Sequence, residues 1–171
     1  MEIIPNALVA GQTIGIAAPA GSFDMNRFNS GVKMIESMGF SVKSGDNIHW
    51  KKGYLAGSDA RRTAALHNLF EDPSIHAVFC ARGGYGSLRV LQQIDFDIIR
   101  QHPKIFIGYS DISALLWAFY QQCGLVTFHG PMVCGWGALD RRIREDLMAG
   151  LSGNRCFTLS HNRPSLCPKK E

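Results

Sequence analysis

The sequence predicts an α/β fold, a parallel sheet flanked by helices, on three observations. Short apolar runs recur along the chain (13–18, 77–81, 105–107), each followed by a segment with helical apolar spacing. The runs end in loops of small or glycine residues, as at Pro19–Ala20–Gly21–Ser22 and Arg82–Gly83–Gly84–Tyr85–Gly86–Ser87. A length of 171 residues is ample for one domain with a single core and short for two. Buried strands alternating with amphipathic helices make βαβ units with right-handed crossovers. In such sheets ligands sit at the carboxyl ends of the strands, so those loops and His129–Gly130–Pro131 are expected to share one rim.

Taken in order, residues 13–18 read as a first buried strand. Asp24 N-caps the next helix, whose apolar face (Phe28, Val32, Ile35, Met38) is closed by Gly39. Residues 40–43 read as a second strand and 47–57 as a loop exposing Trp50 and Tyr54. Ser58 or Asp59 caps a helix through Leu66, Leu69 and Phe70 that stops before Pro73. The strand 77–81, with Cys80 in the core, runs into the glycine-rich loop. Leu88, Val90 and Leu91 then resume helical spacing, and 95–100 add a short helical piece. Strand 105–107, helix 112–122, a last strand 125–128 and a polar-faced helix 141–151 complete the domain, placed at 1–151. Residues 152–171, with two prolines and a Lys169–Lys170 end, read as a linker or truncated tail.

Composition excludes several classes. A hydrophobic content of 46% with 19% charged residues describes an ordinary globular protein. The net charge is only +4, with no Lys/Arg stripe interleaved with aromatics, so no nucleic-acid partner is expected. No apolar run approaches a membrane span and no leader opens the chain, so no membrane partner and a cytoplasmic location are expected. The five cysteines are odd in number and scattered, without a C-x-x-C pair, which speaks against disulfides and structural zinc. No two histidines have a metal-ligand spacing, so no metal is expected.

The chemistry-bearing stretch is Ile105–Phe106–Ile107–Gly108–Tyr109–Ser110–Asp111–Ile112. A strand-to-helix turn with a hydroxyl at its sharpest point lifts the oxygen clear of the sheet and aims the first free N–H groups of the helix at the same space. Those groups, aided by the helix dipole, suit a developing oxyanion. Ser110 as a plain N-cap is the alternative, because G-Y-S-D-I lacks the second glycine of G-x-S-x-G. The run Arg82–Gly83–Gly84–Tyr85–Gly86 fits neither the P-loop nor G-x-G-x-x-G, which disfavours a nucleotide binder. Its glycines instead let backbone approach a ligand, and one of its N–H groups could complete an oxyanion hole with that of Asp111. Asp111 has a sufficient structural role as a carboxylate in the first turn of a helix. His129, placed on the same rim, is a candidate general base or ligand-lining residue.

Several of these stretches resemble, in order, the LD-carboxypeptidases, the S66 serine peptidases. They are Ile14–Gly15–Ile16–Ala17–Ala18–Pro19–Ala20–Gly21, then Gly53–Tyr54–Leu55–Ala56–Gly57–Ser58–Asp59–Ala60–Arg61, then Ala81 to Ser87, Ile107 to Ile112, and His129–Gly130–Pro131–Met132. The resemblance covers about residues 10–150. It implies a three-layer domain of flavodoxin-like or class I glutamine amidotransferase-like kind. It further implies a cytoplasmic enzyme that removes the terminal D-alanine from murein tetrapeptides, with a side branch hydrolysing microcin C. Ser110 becomes the nucleophile, backbone N–H groups of Gly84 and Asp111 the oxyanion hole, and Arg82, Gly83, Tyr85 and His129 substrate-binding residues. No metal or organic cofactor is implied. The family's Glu and His come from a C-terminal domain that this sequence is expected to lack, so the chain by itself should be nearly inactive. A catalytically silent binding or assembly domain is the alternative from another class. A homodimer is expected, through an apolar face of the kind that a second domain would cover.

Overall fold

The computed structural model describes residues 2–153. The tail predicted at 152–171 therefore lies, from residue 154 onward, outside the described residues. Five strands, β1 (Thr13–Ala17), β2 (Ser41–Ser44), β3 (Ile75–Cys80), β4 (Ile105–Gly108) and β5 (Phe128–His129), form one all-parallel sheet in the order β2-β1-β3-β4-β5. The α/β architecture with flanking helices is the one predicted. The sheet order reverses between β1 and β3, which opens a crevice at their carboxyl ends.

Alternation along the strands sorts the core into two layers. Ile14, Ile16, Ala77, Phe79, Ile105 and Ile107 face one side, where α1 (Met25–Ser37), α6 (Val133–Trp136) and α7 (Arg141–Leu151) pack. Ala17, Val78, Cys80 and Phe106 face the other, under α2 (Asp59–Glu71), α3 (Ser87–Leu91), α4 (Phe96–Gln101) and α5 (Ser113–Cys123). Strands buried on both faces read as continuous apolar runs, which is why β1, β3 and β4 were legible. Among the described residues no helix is long and apolar enough to cross a membrane.

The caps follow the sequence. Asp24 accepts the Arg27 N–H at 2.9 Å to start α1, and Ser58 accepts the Arg61 N–H at 3.4 Å to start α2. Gly124, with φ 72°, closes α5 in a left-handed cap.

Two elements differ from the sequence reading by more than a residue or two at their ends. The last strand was expected at 125–128 but is Phe128–His129. Leu125 instead bridges Ile3 in parallel, and the Val126 N–H donates to the Ile3 carbonyl, so the N-terminal segment occupies this stretch. The short α6 was not predicted, because its VCGW sequence has low helical propensity. Tertiary contact forms it. Gly31 of α1 lies so close that a Cβ there would collide with the Val133 carbonyl, and Trp136 is fully buried against Phe79 (centroids 5.6 Å).

The rim is tied by a cation. Arg62 of α2 is 1% exposed, and its guanidinium donates to the Pro19 carbonyl after β1, to the Gly86 carbonyl after β3 (3.0 Å) and to the Asp59 carboxylate. Arg89 from α3 holds the other side of that carboxylate at 2.6 Å. The Arg89 hydrogen bond, reinforced by Arg62, keeps the Asp59 carboxyl below its ordinary range. Replacing Arg62 by Ala leaves two loop carbonyls unpaired. Urea denaturation should show a loss of about 2–4 kcal/mol, with Arg61→Ala, an exposed neighbour, much milder.

Candidate active site

β4 delivers the chain to the rim, and the turn after it is sharply bent. Tyr109 is extended (φ −154°, ψ −175°), and Ser110 follows at φ 61°. Among the described residues Ser110 is the only non-glycine with positive φ. A side chain in the left-handed region costs about 1–2 kcal/mol, and an ordinary N-cap has extended backbone. The simple capping alternative is therefore not the conformation present. The turn passes through a single 3-10 turn (Ser110–Ile112) into α5, leaving Ser110 exposed and Ile112 fully buried.

The glycine-rich loop meets this turn directly. A Cβ on Gly83 would sit 3.2 Å from the Tyr109 carbonyl, 3.3 Å from the Ser110 Cβ and 3.4 Å from the Asp111 nitrogen. A side chain there would push these neighbours back by a few tenths of an ångström, so glycine suits the approach. Gly84 follows at φ 105°. Among the described residues neither the Gly84 nor the Asp111 N–H donates to a protein acceptor, so both are available to a ligand. The Asp111 carboxylate accepts the Ser87 N–H at 2.8 Å, capping α3, whose own N-cap is Gly86 and offers no side chain. One residue thus joins the elbow to the loop that carries Gly84.

Arg82 is fixed against the outer wall. Its guanidinium donates to the Ser22 carbonyl (2.5 Å) and to the Tyr54 hydroxyl (3.2 Å) and lies 5.4 Å from the Tyr54 ring centroid. The Tyr54 hydroxyl in turn lies so close to Gly84 that a Cβ there would collide with it. Beside Ser110 opens a cleft of about 460 Å³, walled by Arg82, Gly83 and Gly84 and, from the α1 and α6 sides, by Phe23, Arg27 and Cys134. Burial pushes the Cys134 thiol up to about 11, so it is protonated at neutral pH and does not compete as a nucleophile.

The predicted residues therefore separate. Ser110, Arg82, Gly83 and Gly84 share the cleft, with the Asp111 amide beside it. Tyr85 is 56% exposed outside that lining, where it interacts with Arg89. His129 pairs with Gly108 on the rim, but its ring stands edge-on to Tyr109 (centroids 6.2 Å) and lines a separate depression with Leu116, Trp117 and Thr127. His129 makes no hydrogen bond to Ser110 and does not line the Ser110 cleft. Sequence reasoning missed Phe23, Arg27 and Cys134. The available signal was topological, since the first turn of α1 follows the β1 rim loop.

An exposed hydroxyl-bearing residue on a left-handed strand-to-helix elbow, with the unpaired amides of Gly84 and Asp111 in the adjoining loop and turn at the carboxyl edge of a parallel sheet, marks the site of an α/β protein. Residues 14–130 match the model of the peptidase S66 family, described as LD-carboxypeptidase N-terminal domain, and the chain belongs to that family. It is 48% identical over 129 residues (75% of this chain, 40% of the relative) to a Bacillus subtilis protein named "Probable murein peptide carboxypeptidase". It is 36% identical over 125 residues (72% and 40%) to the murein tetrapeptide carboxypeptidase of Pseudomonas aeruginosa. A solved structure of the microcin C7 self-immunity protein MccF superposes with a TM-score of 0.84 at 29% identity, covering 88% of this chain and 47% of that one. That structure is an active-site mutant in which a serine, an asparagine and a lysine are replaced by alanine. The chain spans less than half the length of each of these three relatives.

Comparing two variants isolates the elbow's backbone. Ser110→Gly and Ser110→Ala both remove the hydroxyl, but only glycine relieves the left-handed strain. Thermal or urea unfolding should find Ser110→Gly the more stable by about 1 kcal/mol; equal stabilities would mean that the residue is not held at positive φ.

Proposed function

We propose that this chain carries the nucleophile and oxyanion hole of a serine LD-carboxypeptidase that releases the terminal D-alanine of a murein tetrapeptide. The observation that carries the reading is the left-handed Ser110 beside the unpaired amides of Gly84 and Asp111. Relatives named as murein peptide and murein tetrapeptide carboxypeptidases support the substrate class.

In this mechanism the Ser110 Oγ attacks the carbonyl carbon of the last amide bond while a base takes its proton. The carbonyl oxygen becomes an oxyanion and accepts from the Gly84 and Asp111 N–H groups, each such donor being worth about 10²–10³ in rate. Collapse breaks the C–N bond, and D-alanine leaves with the proton returned to its amine. Water then hydrolyses the Ser110 ester. Tyr54 and Arg82 keep the Gly84 loop seated, and the Asp111 carboxylate holds it to the elbow.

Among the described residues no histidine lines the cleft. In this reading the base and the carboxylate that orients it are the Glu and His that the family resemblance places in a second domain. Without them the rate should fall by about 10⁴–10⁶. Incubation with a diaminopimelate- or L-Lys-containing tetrapeptide should release D-alanine only slowly, and Ser110→Ala should remove even that. Release that survives Ser110→Ala would overturn the assignment. Likeness to MccF, one structure of which holds aspartyl sulfamoyl adenosine, favours a second reading, a microcin C-immunity-type serine peptidase, and a faster Ser110-dependent hydrolysis of that compound would select it.

Homodimerisation belongs to the same reading. α5 presents Trp117, 66% exposed, next to Tyr120 (centroids 6.5 Å), an apolar face suited to self-association. Sedimentation velocity should show a concentration-dependent dimer that Trp117→Lys disperses; a single monomeric species at all concentrations would dismiss it.

A further inference from the structure

We infer that Arg27 is the receptor for a substrate carboxylate in the Ser110 cleft and sets the preference for a free C-terminus. The inference rests on the carboxypeptidase reading above and adds to it a residue that the sequence motifs do not contain. The cationic groups around the cleft are committed elsewhere, with this one exception. Arg82 is spent on the Ser22 carbonyl and the Tyr54 hydroxyl. Arg62 is buried on loop carbonyls and Asp59, and Arg89 is paired with Asp59. Arg27 lines the cleft together with Ser110, and among the described residues its guanidinium makes no hydrogen bond or ion pair.

Charge and shape point the same way. The lining holds two guanidinium groups, Arg27 and Arg82, against the single carboxylate of Asp24, so it is net positive. Asp24 already spends one oxygen on capping α1. An uncommitted guanidinium offers a planar fork of N–H donors that matches a carboxylate with two parallel bonds. Phe23, Met132 and Cys134 supply an apolar wall beside it. The ligand this fits is a carboxylate next to a small apolar side chain, one residue beyond the carbonyl that Ser110 attacks. An α-helical position also suits the task. Arg27 sits in the first turn of a 13-residue helix whose N-terminus is locked by Asp24, so its stem leaves a rigid base.

The test is binding to the full chain carrying Ser110→Ala, measured by calorimetry with two tetrapeptides that differ only in a terminal acid or amide. The acid should bind about tenfold or more tightly, and added salt should shrink the difference. Arg27→Met, which keeps helical propensity, should bring the acid down to the affinity of the amide without weakening the amide. Arg27→Lys should restore part of the gap. Equal affinity for acid and amide, or discrimination that persists in Arg27→Met, overturns the inference. So does an Arg27→Met defect confined to an aminoacyl sulfamoyl adenosine, which would make the anion a nucleotide's. No binding of either peptide overturns it as well. Failure of the carboxypeptidase reading shows separately, as D-alanine release that survives Ser110→Ala.

Discussion

A left-handed backbone at a residue with a side chain persists only where its surroundings leave no alternative, and the whole rim supplies that compulsion at Ser110. β4 fixes the entry to the turn, with Ile105, Phe106 and Ile107 all buried between the two helical layers. Ile112, without exposure, anchors the exit under α5. Gly83 lies against the top of the bend, and the Asp111 carboxylate reaches across to the Ser87 N–H. Relaxing Ser110 would require uncoupling β4, α3 and α5 together, so a strain of a kilocalorie or two is held by a much larger packed structure. What that strain secures is a hydroxyl facing solvent and two amides without protein partners, at the one edge of the sheet where the topology opens a crevice.

The second constraint is electrostatic. Two loops that are far apart in sequence meet at Arg62, and their carbonyls, with the Asp59 carboxylate, satisfy a guanidinium that would otherwise be prohibitive to bury. Its Nε has no hydrogen-bond partner, so the pairing is incomplete and the arrangement serves geometry more than stability. Tyr54 and Arg82 repeat the device on the outer wall, where the Asn47–Gly57 loop closes over the glycine-rich one. There Asn47, 2% exposed, donates to the carbonyls of Ala18 and Ala56.

What the sequence revealed and what it hid divide along physical lines. β1, β3 and β4 announce themselves because strands buried on both faces are apolar throughout, and α1 because its face repeats at helical spacing. The elbow was visible as a hydroxyl between such a strand and such a helix. Its left-handed geometry was not, because G-Y-S-D-I lacks the glycine that usually marks it. Arg62 was invisible since a long cation in an amphipathic helix ordinarily reads as surface, and its burial depends on carbonyls contributed by two other segments. The last strand was misplaced because 125–127 are as apolar as a strand needs, while their partner is Ile3 rather than β4. His129 was put on the correct rim, but no periodicity tells which way an imidazole turns, and Tyr109 takes it.

Because the carbonyls of residues 19 and 86 and the carboxylate of Asp59 converge on one buried cation, none of their segments can open without stranding a charge in the interior. The rim consequently behaves as a single cooperative unit in amide exchange: segments separated by tens of residues should lose protection together, as one foldon, while the ends of α7 and the surface turns fray independently.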